Sequence, residues 1–166
     1  MAKRFDFESD IFEYMAMNGD RDRLIYGASD VMEQVKEATF SDFAALGIAD
    51  MASRRIKWHN FIGATNDRTL LVEQKLDIGL SGAAIRSGRN ALMNAMLAYS
   101  DRFKLNEPLL LTESLLIAAA LPIVDQRRIE KTVKGVLLIG RRTAESYRAE
   151  ELDYALLSAE RISSLL

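Results

Sequence analysis

The spacing of apolar residues changes twice along the chain, from helical to alternating and back. In "ESDIFEYMAM", Ser9 can cap a helix with Ile11, Phe12 and Met15 on one face. "NGDRDR" then reads as a loop. Ser29 is a second candidate cap, followed at helical spacing by Val31, Met32, Val35 and Ala38. The period then falls to two. "DFAALGIADM" predicts a first strand, and "RRIKWHNFIGATND" a second with Ile56, Trp58 and Ile62 on one face and Lys57 and His59 on the other. Phe61 breaks that alternation, so a bulge or burial on both sides is expected. "RTLLVEQKLDI" suits a strand or a short turn of helix. A short helix from Gly79 to Gly88 follows, with Gly88 as its cap, then a short strand in "NALMNA". The segment from Met96 to Thr112, with Pro108 inside it, reads as irregular. "SLLIAAALPIV" and "TVKGVLLIG" are the strongest strands, and the polar "DQRRIEK" between them predicts an antiparallel hairpin. "AEELDYALLSAERISSLL" closes the chain as an amphipathic helix with Leu152, Leu156, Ala159 and Leu166 on one side. This order predicts an α+β fold, an antiparallel sheet with the long helices on one face and loops and short helices on the other.

The 166 residues suit one domain with a core that needs no disulfide. There are no cysteines, which removes thiol catalysis, thioether-linked chromophores and cysteine-based metal sites together. With one histidine, His59, a histidine-rich metal site is excluded, and any Ser-His-Asp triad would depend on that residue. A net charge of −2 leaves no basic footprint for nucleic acid. No apolar run approaches the roughly 20 residues of a membrane span, and "MAKRFDFESD" turns acidic without a signal-peptide stretch, so a cytoplasmic location is expected. Arg141 and Arg142 end a strand and are expected to be exposed, as are Arg86 and Arg89 around the end of the short helix. The methionines read as core filler, and Tyr99 as a residue packed on its own loop.

The stretch "DIGLSGAAIRSGRN" holds the candidate chemistry. Glycine marks a backbone that turns sharply or is approached closely. Gly79 and Gly82 by themselves suit a tight strand-to-helix turn against the sheet more than a ligand at the helix start. A helix N-terminus offers about four unpaired N–H groups and roughly half a positive charge, enough to hold an anion without a cationic side chain. The small residues Ser81, Gly82, Ala83 and Ala84 would let a ligand reach that backbone. A flat, weakly hydrated monoanion suits amides and apolar walls, whereas arginines would favour phosphate or carboxylate.

"GLSGAAIRSGR", "LIAAALPI" and "VKGVLLIGRR", in that order before an acidic terminal helix, resemble the GAF family from about residue 29 to 166. The resemblance implies a GAF-like antiparallel sheet with N- and C-terminal helices packed on one face and a ligand pocket on the other. It divides the chain into an N-terminal helical extension, 1–28, and a GAF domain, 29–166. "RRIKWHNFIGATNDR" and "DIGLSGAAIRSGRN" are similar, more narrowly, to the stand-alone nitrate receptors of that family, which work with an oxygen-sensing histidine kinase and its response regulator in Gram-positive bacteria. In that group nitrate lies against backbone amides at the start of the short helix. The matching positions are Leu80 and Ser81, with Trp58 facing the same cavity, and Ser81 stands where a small apolar residue is more usual. The implied ligand set is Trp58, Gly79, Leu80, Ser81, Gly82 and Ala83. The implied partners are nitrate or a similar small anion, a sensor histidine kinase, and a second copy through the terminal helices. Nucleic acid, membrane, metal and cofactor are not expected.

Three other readings are weighed against that one. GAF-fold methionine sulfoxide reductases need cysteines that this chain lacks, so an enzyme is not expected. The Asn-Lys-x-Phe signature of cyclic-nucleotide GAF domains is missing. A GAF domain for another small organic ligand, or a ligand-free dimerisation module, remains the alternative.

Overall fold

The central strands carry apolar side chains on both faces because both faces are covered. The coordinates are those of a computed structural model and describe residues 27–94, 106–127 and 129–166. The helix expected around Ser9, the loop after it, the first part of the irregular segment and Tyr99 lie outside them. Helix α1 is described over 27–38. Strands β1 (Phe43–Asp50) and β2 (Arg55–Ile62) follow, then a 3-10 turn (Asp67–Leu71) and β3 (Gln74–Lys75). Next come α2 (Gly79–Ser87), β4 (Ala91–Met93), α3 (Pro108–Thr112), β5 (Ile117–Val124), β6 (Val133–Arg141) and α4 (Ala149–Leu165). The strands form one antiparallel sheet in the order β3-β2-β1-β6-β5-β4.

Alternation in β1, β5 and β6 sorts side chains between two cores. Ala44, Leu46 and Ile48 of β1, Leu121 and Ile123 of β5, and Leu137 and Ile139 of β6 pack beneath Val31, Met32 and Val35 of α1 and Ala155, Ala159 and Ile162 of α4. Their neighbours Phe43, Ala45, Ala118, Ala120, Val136 and Leu138 face the opposite way, against Leu80 and Ala84 of α2 and Leu109 and Leu110 of α3. The long helices thus share one face, and the short helices cover the other. Pro122 is tolerated in β5 because β4 pairs only as far as Ala120, leaving the proline at a locally free edge.

Several expectations change. The anticipated bulge lies in β2, where His59 and Asn60 together stand opposite Leu46, between the pairs Ala45–Phe61 and Gly47–Trp58. The extra residue flips the parity. Phe61 therefore joins Ile56 and Trp58 in the second core, while Ile62 packs with the first. Ser29 lies inside α1 rather than capping it, and its hydroxyl accepts a hydrogen bond from Asn60 Nδ2 at 2.8 Å. The irregular segment contains α3, started by Pro108 at a position where a missing N–H costs nothing. The buried face of α4 is Glu151, Ala155, Ser158, Ala159, Ile162 and Ser163, with Leu152 and Leu166 only partly covered and Leu156 turned outward.

Arg141 is buried, not exposed, and ion-paired to Glu151 at 2.7 Å. Arg142 is half-buried, bridging Asp42 through its amide and Glu113 through its side chain. β6 ends where α1, α3 and α4 converge, so its terminal arginines tie elements together instead of meeting solvent. No helix among the described residues is long and apolar enough to cross a membrane.

Candidate functional site

The site forms at the start of α2, and its chemistry begins with a shortage. The residue before the helix is Ile78, which offers no side-chain cap, and the first turn holds no acidic residue. Its amides must therefore be satisfied from elsewhere. Gly82 N–H finds Ile78 O at 3.2 Å. Ser81 N–H instead donates to Oε2 of Glu107 at 2.8 Å, a carboxylate 26 residues away in the chain. Gln74 of β3 completes the cradle, donating from Nε2 to the same Oε2 at 3.2 Å and to Ile78 O at 3.2 Å. Its Oε1 accepts from the indole Nε1 of Trp58, also at 3.2 Å. Trp58, Gln74, Glu107 and Ser81 are thus one hydrogen-bonded chain from β2 to α2.

The glycines divide in role. Gly79 adopts φ +78°, and a Cβ there would lie 2.8 Å from Glu107 Oε2 and 3.0 Å from Gln74 Nε2, so its absence lets the carboxylate close on the helix. Gly82 serves the turn, since a Cβ would meet Leu76 O at 2.9 Å. Gly88 is the left-handed cap that ends α2, at φ 66°. We expect Gly82→Ala to cost about 1–3 kcal/mol in urea unfolding by overpacking that turn. A neutral outcome would show that the turn relaxes freely and that Gly82 is needed for something else. Of the expected set, Trp58, Gly79, Leu80 and Ser81 gather around Glu107. Gly82 supports them from behind, and Ala83, half-buried, takes no part in the side-chain hydrogen bonds.

Glu107 is fully buried, and the electrostatics around it are unbalanced. Burial pushes its carboxyl up to about 7, and the Ser81 amide and Gln74 pull back only part of the way. Oε1 of Glu107 and Oγ of Ser81, both buried, have no hydrogen-bond partner among the described residues. Glu113, from the same stretch of chain, is treated in the opposite way. It accepts from Thr65 N–H and Oγ1 at 2.9 Å, Thr69 Oγ1 at 2.8 Å and Arg142 Nη2 at 2.9 Å. Burial opposes its charge, but these donors outweigh it and hold the carboxyl below its ordinary value. Glu113 is a closed structural clamp. Glu107 is an acid with an open oxygen and no cationic partner among the described residues.

Sequence reasoning missed both Glu107 and Gln74. The signal available was the uncapped helix itself, because amides with no local acceptor require a distant one. Among the described residues no group of three or more acidic or histidine side chains could hold a metal. A separate surface cleft of about 590 Å³ lies at the β1–β2 turn, lined by Arg54, Arg55, Lys75 and Asp77.

The sheet order and the placement of the helices recur in solved structures. The GAF domain of a phosphoenolpyruvate-protein phosphotransferase from Coxiella burnetii matches over 90% of this chain and 92% of its own, with a TM-score of 0.65 and 17% identity. This is a GAF fold. Within GAF folds the chain is also similar in sequence to NreA from Staphylococcus aureus, solved as a protein mutated in its nitrate binding site. That match is 28% identical with a TM-score of 0.61 and covers 77% of this chain and 90% of the other. A hypothetical protein from S. aureus is 27% identical with a TM-score of 0.58, over 70% of this chain and 93% of that one. No protein-family model and no curated protein matches the sequence.

Proposed function

We propose that this protein is a nitrate-class anion receptor that reports occupancy to a sensor histidine kinase by direct contact. The observation that carries the reading is the carboxylate oxygen already held 2.8 Å from Ser81 N–H by backbone and amide donors, with no cationic side chain among the described residues involved. A site that holds one oxyanion in this way has the chemistry for another. The similarity to NreA points to nitrate. In this reading the Leu80 and Ser81 amides hold the anion, Gly79 permits the approach, and Trp58 forms a wall. Residues 29–166 are the sensor unit, 1–28 an extension, and the location is cytoplasmic. The outer face of α4 exposes Tyr154, Leu156 and Leu157, a surface suited to the kinase or to a second copy.

The test is a thermal-shift series with nitrate, sulfate and phosphate. At 100 times its dissociation constant a ligand adds about 2.7 kcal/mol, so nitrate should raise Tm by several degrees, and more than either competitor. No shift at millimolar nitrate sinks the anion reading. A second reading rests on the open Oε1 of Glu107, an acceptor that suits an organic ligand with an N–H or O–H donor. Stabilisation by amines or amino acids, and not by nitrate, would favour it.

A further inference from the structure

An anion arriving at Ser81 N–H meets a carboxylate already there, and that conflict has a specific resolution. Resting on the anion-receptor reading, we propose that Glu107 is a tethered competitor for the α2 amides. The entering monoanion displaces its carboxylate, and the carboxyl takes one proton from solvent, so that anion and proton bind together.

Geometry supports the exchange. Oε2 of Glu107 occupies the Ser81 amide at 2.8 Å and the Gln74 amide at 3.2 Å, the donors an oxyanion would use. Oε1 of Glu107, buried, has no hydrogen-bond partner among the described residues, so the pocket holds acceptor capacity beside the Ser81 amide and hydroxyl. The hydroxyl adds a flexible donor beside the amide. Two negative charges within one buried site require a cation or a proton between them. Among the described residues the elements around Glu107 supply no cation. Facing it are the amides of Leu80 and Ser81 and the Ser81 hydroxyl from α2, Gln74 from β3, and Trp58 of β2 behind Gln74. The charged residues of these segments, Lys75, Asp77 and Arg86, are exposed, and none of the three forms an ion pair with Glu107. Burial already places the carboxyl near 7, so both protonation states are within reach near neutral pH.

The experiment is nitrate calorimetry on the full chain and on Glu107→Gln at about pH 6 and about pH 8, with the wild type repeated in buffers of different ionisation enthalpy. If only the protonated form accepts the anion, the wild type binds about tenfold more weakly at the higher pH, in proportion to the competent fraction. It also takes up close to one proton per nitrate there. Glu107→Gln, which copies the neutral acid, binds equally at both pH values. The wild-type proton count needs no variant and decides the matter even if the glutamine protein fails to fold. Equal nitrate binding at both pH values without proton uptake overturns the proposal and leaves the receptor reading standing. Nitrate binding to Glu107→Gln but not to the wild type supports Glu107 as the occupant and overturns the receptor reading for the native chain. Binding to neither overturns both.

Discussion

Replacing Arg141 by methionine is expected to lower the unfolding free energy by about 3–5 kcal/mol, the range for removing one partner of a buried ion pair. All five guanidinium donors are used. Nε donates to Phe40 O at 3.3 Å, Nη1 to Glu145 O and Ser146 O at 2.9 and 3.1 Å, and Nη2 to Thr39 O at 2.6 Å and Glu151 Oε2 at 2.7 Å. The plane also stacks over the Tyr147 ring, 4.2 Å from its centroid. One side chain thus joins the end of α1, the loop after β6 and the start of α4. Methionine fills much of the volume but leaves the charge of Glu151, whose side chain is 5% exposed, with only the exposed Arg148 guanidinium at 3.5 Å as a cation among the described residues. Burial works against that charge. The Arg148 amide and Arg141 outweigh it and hold the carboxyl below its ordinary value, so the pair's contribution is present above that value and is lost as pH falls through the lowered one. The double replacement Arg141→Met with Glu151→Leu should recover only part of the loss. Four carbonyls still lack donors, and the Arg148 amide loses the Glu151 oxygen that caps it. Urea unfolding gives the answer, and a loss below about 1 kcal/mol for the single replacement would mean that water reaches Glu151 and takes over the role of Arg141.

The fold was legible wherever one periodicity ran without interruption. β1, β5 and β6 have unbroken apolar runs, and Gly88 caps α2 with the backbone its residue type suggests. Where structure and sequence pattern part, the cause is shared: residue type alone does not fix a side chain's environment. Arginines at a strand end read as solvated until the chain folds three other segments over them. On α4 the leucines suggested the buried side. The face that meets the sheet is instead built of small residues, Ala155, Ser158, Ala159 and Ser163, while Leu157 is 59% exposed. In β2 one bulged residue moved Ile62 to the other core. The site was half legible. Gly79, Ser81 and Trp58 could be singled out from a short contiguous pattern and a resemblance. Glu107 sits in a segment with no periodicity, and its importance comes from meeting a helix 26 residues earlier in the chain, a pairing that local spacing cannot encode.

That pairing sets the pH dependence of stability. In nitrate-free buffer the wild-type chain should lose about 3 kcal/mol between about pH 5 and about pH 8 from Glu107 alone, at roughly 1.4 kcal/mol for each pH unit separating its folded and unfolded values. The folded value is about 7 and the ordinary one 4.5. In that window the native state keeps a proton that the unfolded chain has released. The unfolded state then binds fewer protons, and stability falls as pH rises. The contribution is whole below the ordinary value, declines through about 7, and is flat beyond it. Glu113 and Glu151 do not confuse the measurement, because their carboxyls are held low and their losses come at acid pH. Glu107→Gln has no proton to lose, so its curve should lack this decline and lie above the wild type at about pH 8. The same decline in both proteins, or none in the wild type, would show that Glu107 stays solvated when charged. Saturating nitrate adds a discriminating arm. If the anion binds beside the neutral acid, it pushes the carboxyl still higher, and the decline should move to higher pH in the wild type while Glu107→Gln keeps the shape of its nitrate-free curve.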